Sequence, residues 1–143
     1  MQLVKDPSPN LRVPCTNPEP PTLEEALKSL QIMQENDGIG ISAPQVGSDK
    51  RFFWASGELV VNPEIVKVHT AVFKCQEGCL SLPGQSFDVL RSPGLVVRYD
   101  NIIGQKIEKV IGGTEAVVFQ HEYDHLCGIM IDEKSKWCLK QPA

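Results

Sequence analysis

No apolar run in this sequence approaches the roughly 20 residues that a membrane-spanning helix needs, so no transmembrane segment is expected. The first residues, MQLVKDPSPNLRVP, hold no continuous apolar stretch and do not read as a secretory signal. They are also too poor in Arg and Ser to read as a retained transit peptide, although a processed organellar form stays open. Basic charge is not in excess. Fourteen Lys and Arg against 18 Asp and Glu leave a formal net charge of −4, a poor electrostatic match for nucleic acid or an anionic membrane. An even cysteine framework is missing too. The five cysteines are Cys15, Cys75, Cys79, Cys127 and Cys138. An odd set without a signal peptide points to a reducing compartment, where a cysteine that matters acts as a ligand or nucleophile. Internal repeats are absent. What remains is an ordinary globular composition, 41% hydrophobic and 22% charged over 143 residues, enough for one domain with its own core.

Residues 1–21 carry six prolines, Pro7, Pro9, Pro14, Pro18, Pro20 and Pro21. Each fixes its own φ and biases its predecessor toward extended backbone, so this stretch reads as an extended arm lying on the domain. Thr22 followed by Glu25 is a capping box. Leu23, Ala26, Leu27, Leu30 and Met33 then recur at helical spacing, and Gly38 is placed to end that helix in a left-handed conformation. From residue 50 to about 111 the pattern turns to short β-type runs, at 51–55, 59–61 with 65–68, 71–75, 86–90, 95–99 and 106–110. Turn residues separate them, such as Pro83-Gly84 and Pro93-Gly94. This is the signature of antiparallel sheet. A second helix is expected over about 114–127. Its first half, Ala116 to Phe119, is apolar on all sides and therefore buried.

On that buried helix sits His121-Glu122-Tyr123-Asp124-His125, an HExxH. Positions i and i+4 share a helix face, so both imidazoles can reach one ion while Glu122 reaches a water on it. The bland alternative is a pair of surface histidines on a solvated helix. A catalytic site needs a third protein ligand and one open position. His69 and Cys79 are the candidates. His69 lies in a turn-flanked β-like stretch, where an ordinary strand histidine is the simpler reading. Cys79, in Glu77-Gly78-Cys79-Leu80-Ser81 between strand candidates, is the better ligand, because a thiolate beside a cation binds strongly. A lone cysteine is otherwise more often a small buried hydrophobe. The run Gly38-Ile39-Gly40-Ile41-Ser42-Ala43-Pro44-Gln45 follows the first helix. That is the wrong order for a phosphate cradle, but its glycines let backbone approach a ligand. A plain connecting loop is the alternative.

GIGISAPQ, EGCLS and QHEYDHLCG, in this order and spacing, resemble the three motifs of the peptide deformylase family. Val61-Asn62-Pro63-Glu64-Ile65 and the hairpin from Leu95 to Glu108 are similar to the family's supporting text, so the likeness spans nearly all of residues 1–133. The resemblance implies that Cys79, His121 and His125 bind one divalent metal, with a water in the remaining position. The family often works with iron(II), and some members tolerate zinc, nickel or cobalt. It implies that Glu122 acts as general base and then general acid while the water attacks a formyl carbon. Gln45 and the backbone N–H of Leu80 would stabilise the resulting oxyanion. It implies a wall for a methionine side chain formed by Gly40, Ile41, Cys75, Val117, Val118 and His121. Glu77 and Arg91 match a pair that props the cysteine loop. The substrate class is formyl-methionyl nascent peptides, acted on by a monomer in a bacterial cytoplasm or, for a phage protein, in its host's. Ser42 stands where the family usually has alanine. The chain ends 15 residues after Gly128, so the longer C-terminal helix is mostly missing and ribosome docking by that route is not expected. Cys127 and Cys138 match no family role.

The expected architecture is α+β, with antiparallel sheets packed around the HExxH helix and one N-terminal helix, in a single domain over 1–143. Two other readings remain. Another HExxH metallopeptidase would draw a downstream ligand, for which Glu133 is the remaining residue. A non-catalytic metal site would need four protein ligands, for example with Cys75.

Overall fold

The computed structural model describes residues 1–140, with side chains through Ser135. Cys138 therefore lies outside the described side chains. The elements, in chain order, are α1 (Leu23–Glu35), β1 (Gly40–Ser42), β2 (Phe52–Ala55), β3 (Glu58–Val68), β4 (Phe73–Cys79), β5 (Leu82–Arg91), β6 (Gly94–Asp100), β7 (Lys106–Gly112), α2 (Gly113–Leu126) and α3 (Ile131–Lys140). No helix is long and apolar enough to cross a membrane, among the described residues.

Helix α1 starts as its capping box dictates. The Thr22 hydroxyl accepts from the Glu25 N–H at 3.1 Å, and Glu25 accepts from the Thr22 N–H at 3.2 Å. Its end differs from expectation. Asp37, not Gly38, takes the left-handed conformation, with φ 55, which a short polar side chain tolerates. Gly38 is needed for space instead, since a Cβ there would sit 2.8 Å from Leu80 Cδ1. The indole of Trp54 in β2 ties α1 to the sheet by donating to the Ala26 carbonyl at 3.0 Å and the Ser29 hydroxyl at 3.1 Å.

Five strands form an antiparallel sheet in the order β1-β2-β3-β6-β7, while β4 and β5 form a separate two-stranded ribbon. The two runs expected at 59–61 and 65–68 are one strand, β3. Register shifts against β6 absorb Asn62, at φ 50, and Pro63. The short β1 was not foreseen. Its three residues are too few to show alternation, and all are buried. Nor was α3, which packs against β5.

Helix α2 lies on the sheet, with Phe119 edge-on to Phe53 at 5.0 Å between centroids. The main core fills the space among α1, α2 and β1–β3 with β6. A smaller core of Leu11, Leu82, Val89, Met130 and Ile131 lies under the ribbon. The proline-rich arm is built into this frame and contains one 3₁₀ turn, Pro9–Arg12. Val4 N–H donates to the Gln45 carbonyl at 2.7 Å, Asp6 N–H to the Ser81 carbonyl at 2.9 Å and Cys15 N–H to the Leu126 carbonyl at 2.8 Å. The arm thus straps together the segments that carry Gln45, Cys79 and the end of α2.

Candidate metal centre

Two residues of α2 one turn apart, His121 and His125, face the end of β4, which delivers Cys79. Their donor atoms all lie within 4.8 Å of one another, and Cys79 Sγ is 3.4 Å from His125 Nε2. No other His, Cys, Asp or Glu belongs to this group among the described residues. Cys75 lies four residues back along β4 and lines the neighbouring cavity. His69 is exposed, and its Nδ1 accepts from the Ala71 N–H at 3.1 Å. Glu133 is exposed and pairs with Arg12.

The two histidines sit in different surroundings. His121 Nδ1 lies 2.9 Å from Glu77 Oε1. Burial alone would lower the pKa of this imidazole, but its hydrogen bonds to Cys79 and Glu77 raise it to about 10. His125 is almost fully buried, and its Nδ1 has no hydrogen-bond partner among the described residues. Burial, then the positive charges of His121 and Arg91, hold it well below the usual imidazole value.

Glu77 is itself gripped. Arg91 Nε and Nη2 donate to its two oxygens, each at 2.8 Å. Burial would raise this carboxyl, yet the hydrogen bonds from Arg91 and His121 hold it down at about 2. Arg91 Nη1 donates to Asp124 Oδ2 at 2.6 Å. The Arg91 side chain is 1% exposed, so its charge is balanced by protein and not by water. The Glu77–Arg91 contact was expected, but the link to Asp124 was not. Asp124 lies three residues after His121, so it falls on nearly the same side of a buried helix. That position signalled a need for a partner without naming it.

Glu122 is 4% exposed, and its Oε1 lacks a partner among the described residues. Burial pushes its pKa up to about 7. The carboxyl fits only because residue 40 is glycine, since a Cβ there would lie 2.5 Å from Glu122 Oε2. Gln45 is held by its carbonyl end, which accepts from the Ser42 N–H at 3.0 Å and the Ser42 hydroxyl at 3.1 Å. A backbone donor on Oε1 settles which end is the amide nitrogen. Nε2 therefore points to the Ser81 hydroxyl at 3.1 Å and toward Cys79 Sγ at 3.6 Å. Leu80 occupies the two-residue turn between β4 and β5, beside Cys79.

A cavity of about 960 Å³ opens beside these groups. Of the expected wall residues, Gly40, Cys75, Val117, Val118 and His121 line it. Ile41 does not. It is fully buried in the main core, because β1 pairs Ile41 with Trp54 and turns its side chain into the packed interior. The wall continues onto residues the sequence did not suggest, including Leu3 of the arm and Phe73 of β4.

A family profile described as polypeptide deformylase matches residues 1–140. A peptide deformylase of Thermotoga petrophila is 40% identical over 111 residues, spanning 75% of this chain and 68% of that protein. The crystal structure of peptide deformylase from Thermotoga maritima superposes with a TM-score of 0.81 at 35% identity, covering 93% of this chain and 95% of that one. An actinonin-bound class I type b peptide deformylase from Acinetobacter baumannii superposes with a TM-score of 0.84 at 32% identity, covering 94% and 97%.

Proposed function

This chain belongs to the peptide deformylase family, and from that premise we propose how its own residues carry the family's reaction. It is a metal-dependent hydrolase that removes the formyl group from the N-terminus of nascent peptides. The observation that carries the reading is the convergence of Cys79, His121 and His125 within 4.8 Å beside the buried Glu122.

The residues fit a divalent ion. One thiol and two imidazoles are a donor set suited to zinc, iron(II), cobalt or nickel. Glu122 Oε1, buried without a partner among the described residues, is the kind of polar atom that a water on a bound ion would satisfy, and His125 turns its Nε2 toward Cys79. When bound, the ion supplies Lewis acidity, which lowers the pKa of a water and polarises a carbonyl. We assign iron(II) as the native metal on the family resemblance. Metal analysis after anaerobic purification checks this.

The remaining chemistry belongs to the protein. Glu122, whose carboxyl burial pushes up from its ordinary value, takes a proton from the attacking water and delivers one to the departing amine nitrogen. The Gln45 Nε2 and the Leu80 N–H offer donors to the formyl oxygen as it becomes negative, an effect typically worth about 3–4 kcal/mol per donor. Gly40 leaves room for the Glu122 carboxylate. Val117, Val118 and Cys75 provide an apolar wall for the methionine side chain. Glu77 holds one nitrogen of His121 and so presents the other as a ligand.

Two observations disfavour the other readings. Glu133, the downstream ligand a metallopeptidase would need, is committed to Arg12. A closed structural site would need a fourth protein donor, and none joins the group among the described residues. The test is formate release from formyl-Met-Ala by anaerobically purified protein. Substitution Glu122→Gln should cut the rate by roughly 10²–10⁴-fold while the circular dichroism stays that of the parent. Full activity in that variant would remove Glu122 from its role.

A further inference from the structure

We propose that Asp124 is a positioning residue for the metal centre. Through Arg91 it fixes Glu77, and through Glu77 the ring of His121. The inference rests on reading Cys79, His121 and His125 as the ligands.

The contacts close a ring. From α2, His121 Nδ1 meets Glu77 Oε1 at 2.9 Å on β4. Glu77 takes the Nε and Nη2 side of the Arg91 guanidinium, which comes from the end of β5. The remaining nitrogen, Nη1, donates to Asp124 Oδ2 at 2.6 Å, and Asp124 is again on α2. A two-point fork between Arg91 and Glu77 leaves the pair free to swing together as one rigid plate. The third contact, on the opposite side of the plate, removes that freedom. Cys79 lies two residues beyond Glu77 on β4. Any slip of the ribbon against α2 that changes the Cys79–His125 separation must therefore also stretch this ring.

Charge makes the ring stiff. Arg91 is nearly dry, with Glu77 and Asp124 as its two anionic neighbours. Without Asp124 the Nη1 side would face the interior with no compensating charge. Lys134 from α3 stands 3.6 Å from Asp124 Oδ1, giving the second oxygen a cation of its own. Asp124 does not line the cavity. Its influence runs through the metal ligands.

Two metals read the effect without turnover. Zinc affinity is measured by competition against a chelator, and the site is then loaded with cobalt to follow the thiolate-to-metal absorption band. Asp124→Asn keeps size and an acceptor oxygen but removes the charge. It should weaken zinc binding about tenfold or more, shift the cobalt band and lower kcat with KM unchanged. Asp124→Glu, which restores the charge, should recover part of each. Wild-type zinc affinity with an unchanged cobalt spectrum in Asp124→Asn overturns the proposal, as does a change confined to KM. If Asp124→Asn does not fold, Arg91→Lys replaces it. A lysine cannot bridge Glu77 and Asp124 as the fork does, so it should lose zinc affinity similarly, and wild-type affinity there also overturns the proposal. Cys79→Ala serves as control. Retention of the cobalt band in that variant would undo the ligand assignment itself, a failure distinct from that of Asp124.

Discussion

Two arginines, each set between two carboxylates, mark two regions governed by different physics. Arg91 lies between Glu77 and Asp124 where the ribbon meets α2, with its side chain 1% exposed. Arg98 lies on the outer face of the five-stranded sheet, between Glu64 at 3.5 Å and Glu108 at 2.7 Å, with its side chain 47% exposed. Both are guanidinium–carboxylate sets, and the shortest contact of each is nearly the same, 2.6 Å at Asp124 and 2.7 Å at Glu108. In water, such a pair trades one solvation shell for another, pays side-chain entropy and is screened by salt. In the interior, no water takes over when a partner leaves, so each contact is conditional on the others. The outer contacts are therefore individually dispensable, whereas the inner ones hold the geometry of a site.

Removing each arginine in turn is the sharpest way to break this comparison. Arg91→Ala strips Glu77 and Asp124 of their shared buried cation, leaving His121 and the more distant Lys134 as their partners, and should destabilise the fold by about 3–5 kcal/mol in denaturant titration, with metal content falling alongside. An unchanged midpoint and metal content would erase the distinction. Steric slack is a second difference. Gly40→Ala would set a carbon 2.5 Å from Glu122 Oε2, and the displaced carboxylate should lower kcat by roughly 10²-fold while circular dichroism is retained. A fully active variant would mean that the site end has room to give.

Acid titration sharpens the comparison further. Glu77 has a folded-state pKa depressed to about 2, because the hydrogen bonds of Arg91 and His121 outweigh burial. The sign follows directly. The stability it contributes is complete above the ordinary carboxyl value near 4.5 and is lost as pH falls toward 2. The unfolding midpoint of the parent should therefore drop across that window, and Glu77→Gln should show a flatter profile. Equal slopes would show that Glu77 carries no linked stability. The smallest effect belongs to Arg98→Ala, which should leave the midpoint unchanged within error at moderate salt.

Much of the fold was legible where the signal is local. The capping box of Thr22 and Glu25, the period of α1 and the turn residues between strands each act within a few positions, so they survive as pattern. The HExxH was legible for the same reason, since one helical turn guarantees that His121 and His125 share a face. Elements too short to show a period, such as β1, or lying past the last recognised signal, such as α3, were not. The family resemblance put Ile41 on the cavity wall, and a three-residue strand shows no alternation that could have corrected it. Pairing against Trp54 decides which face it turns inward.

Sequence alone determined which chemistry this chain can host, namely a thiol, two imidazoles, a carboxyl and an amide, each in a segment whose local shape it encodes. Tertiary structure decided their surroundings. It set Glu77 against His121, closed the guanidinium of Arg91 onto Asp124 and buried Glu122 against Gly40. The reason is physical. Backbone conformation is set mainly by near neighbours along the chain, whereas dielectric, counter-charge and free volume belong to whatever the fold brings near, here partners 33 residues apart at Arg91 and Asp124 and 44 apart at Glu77 and His121.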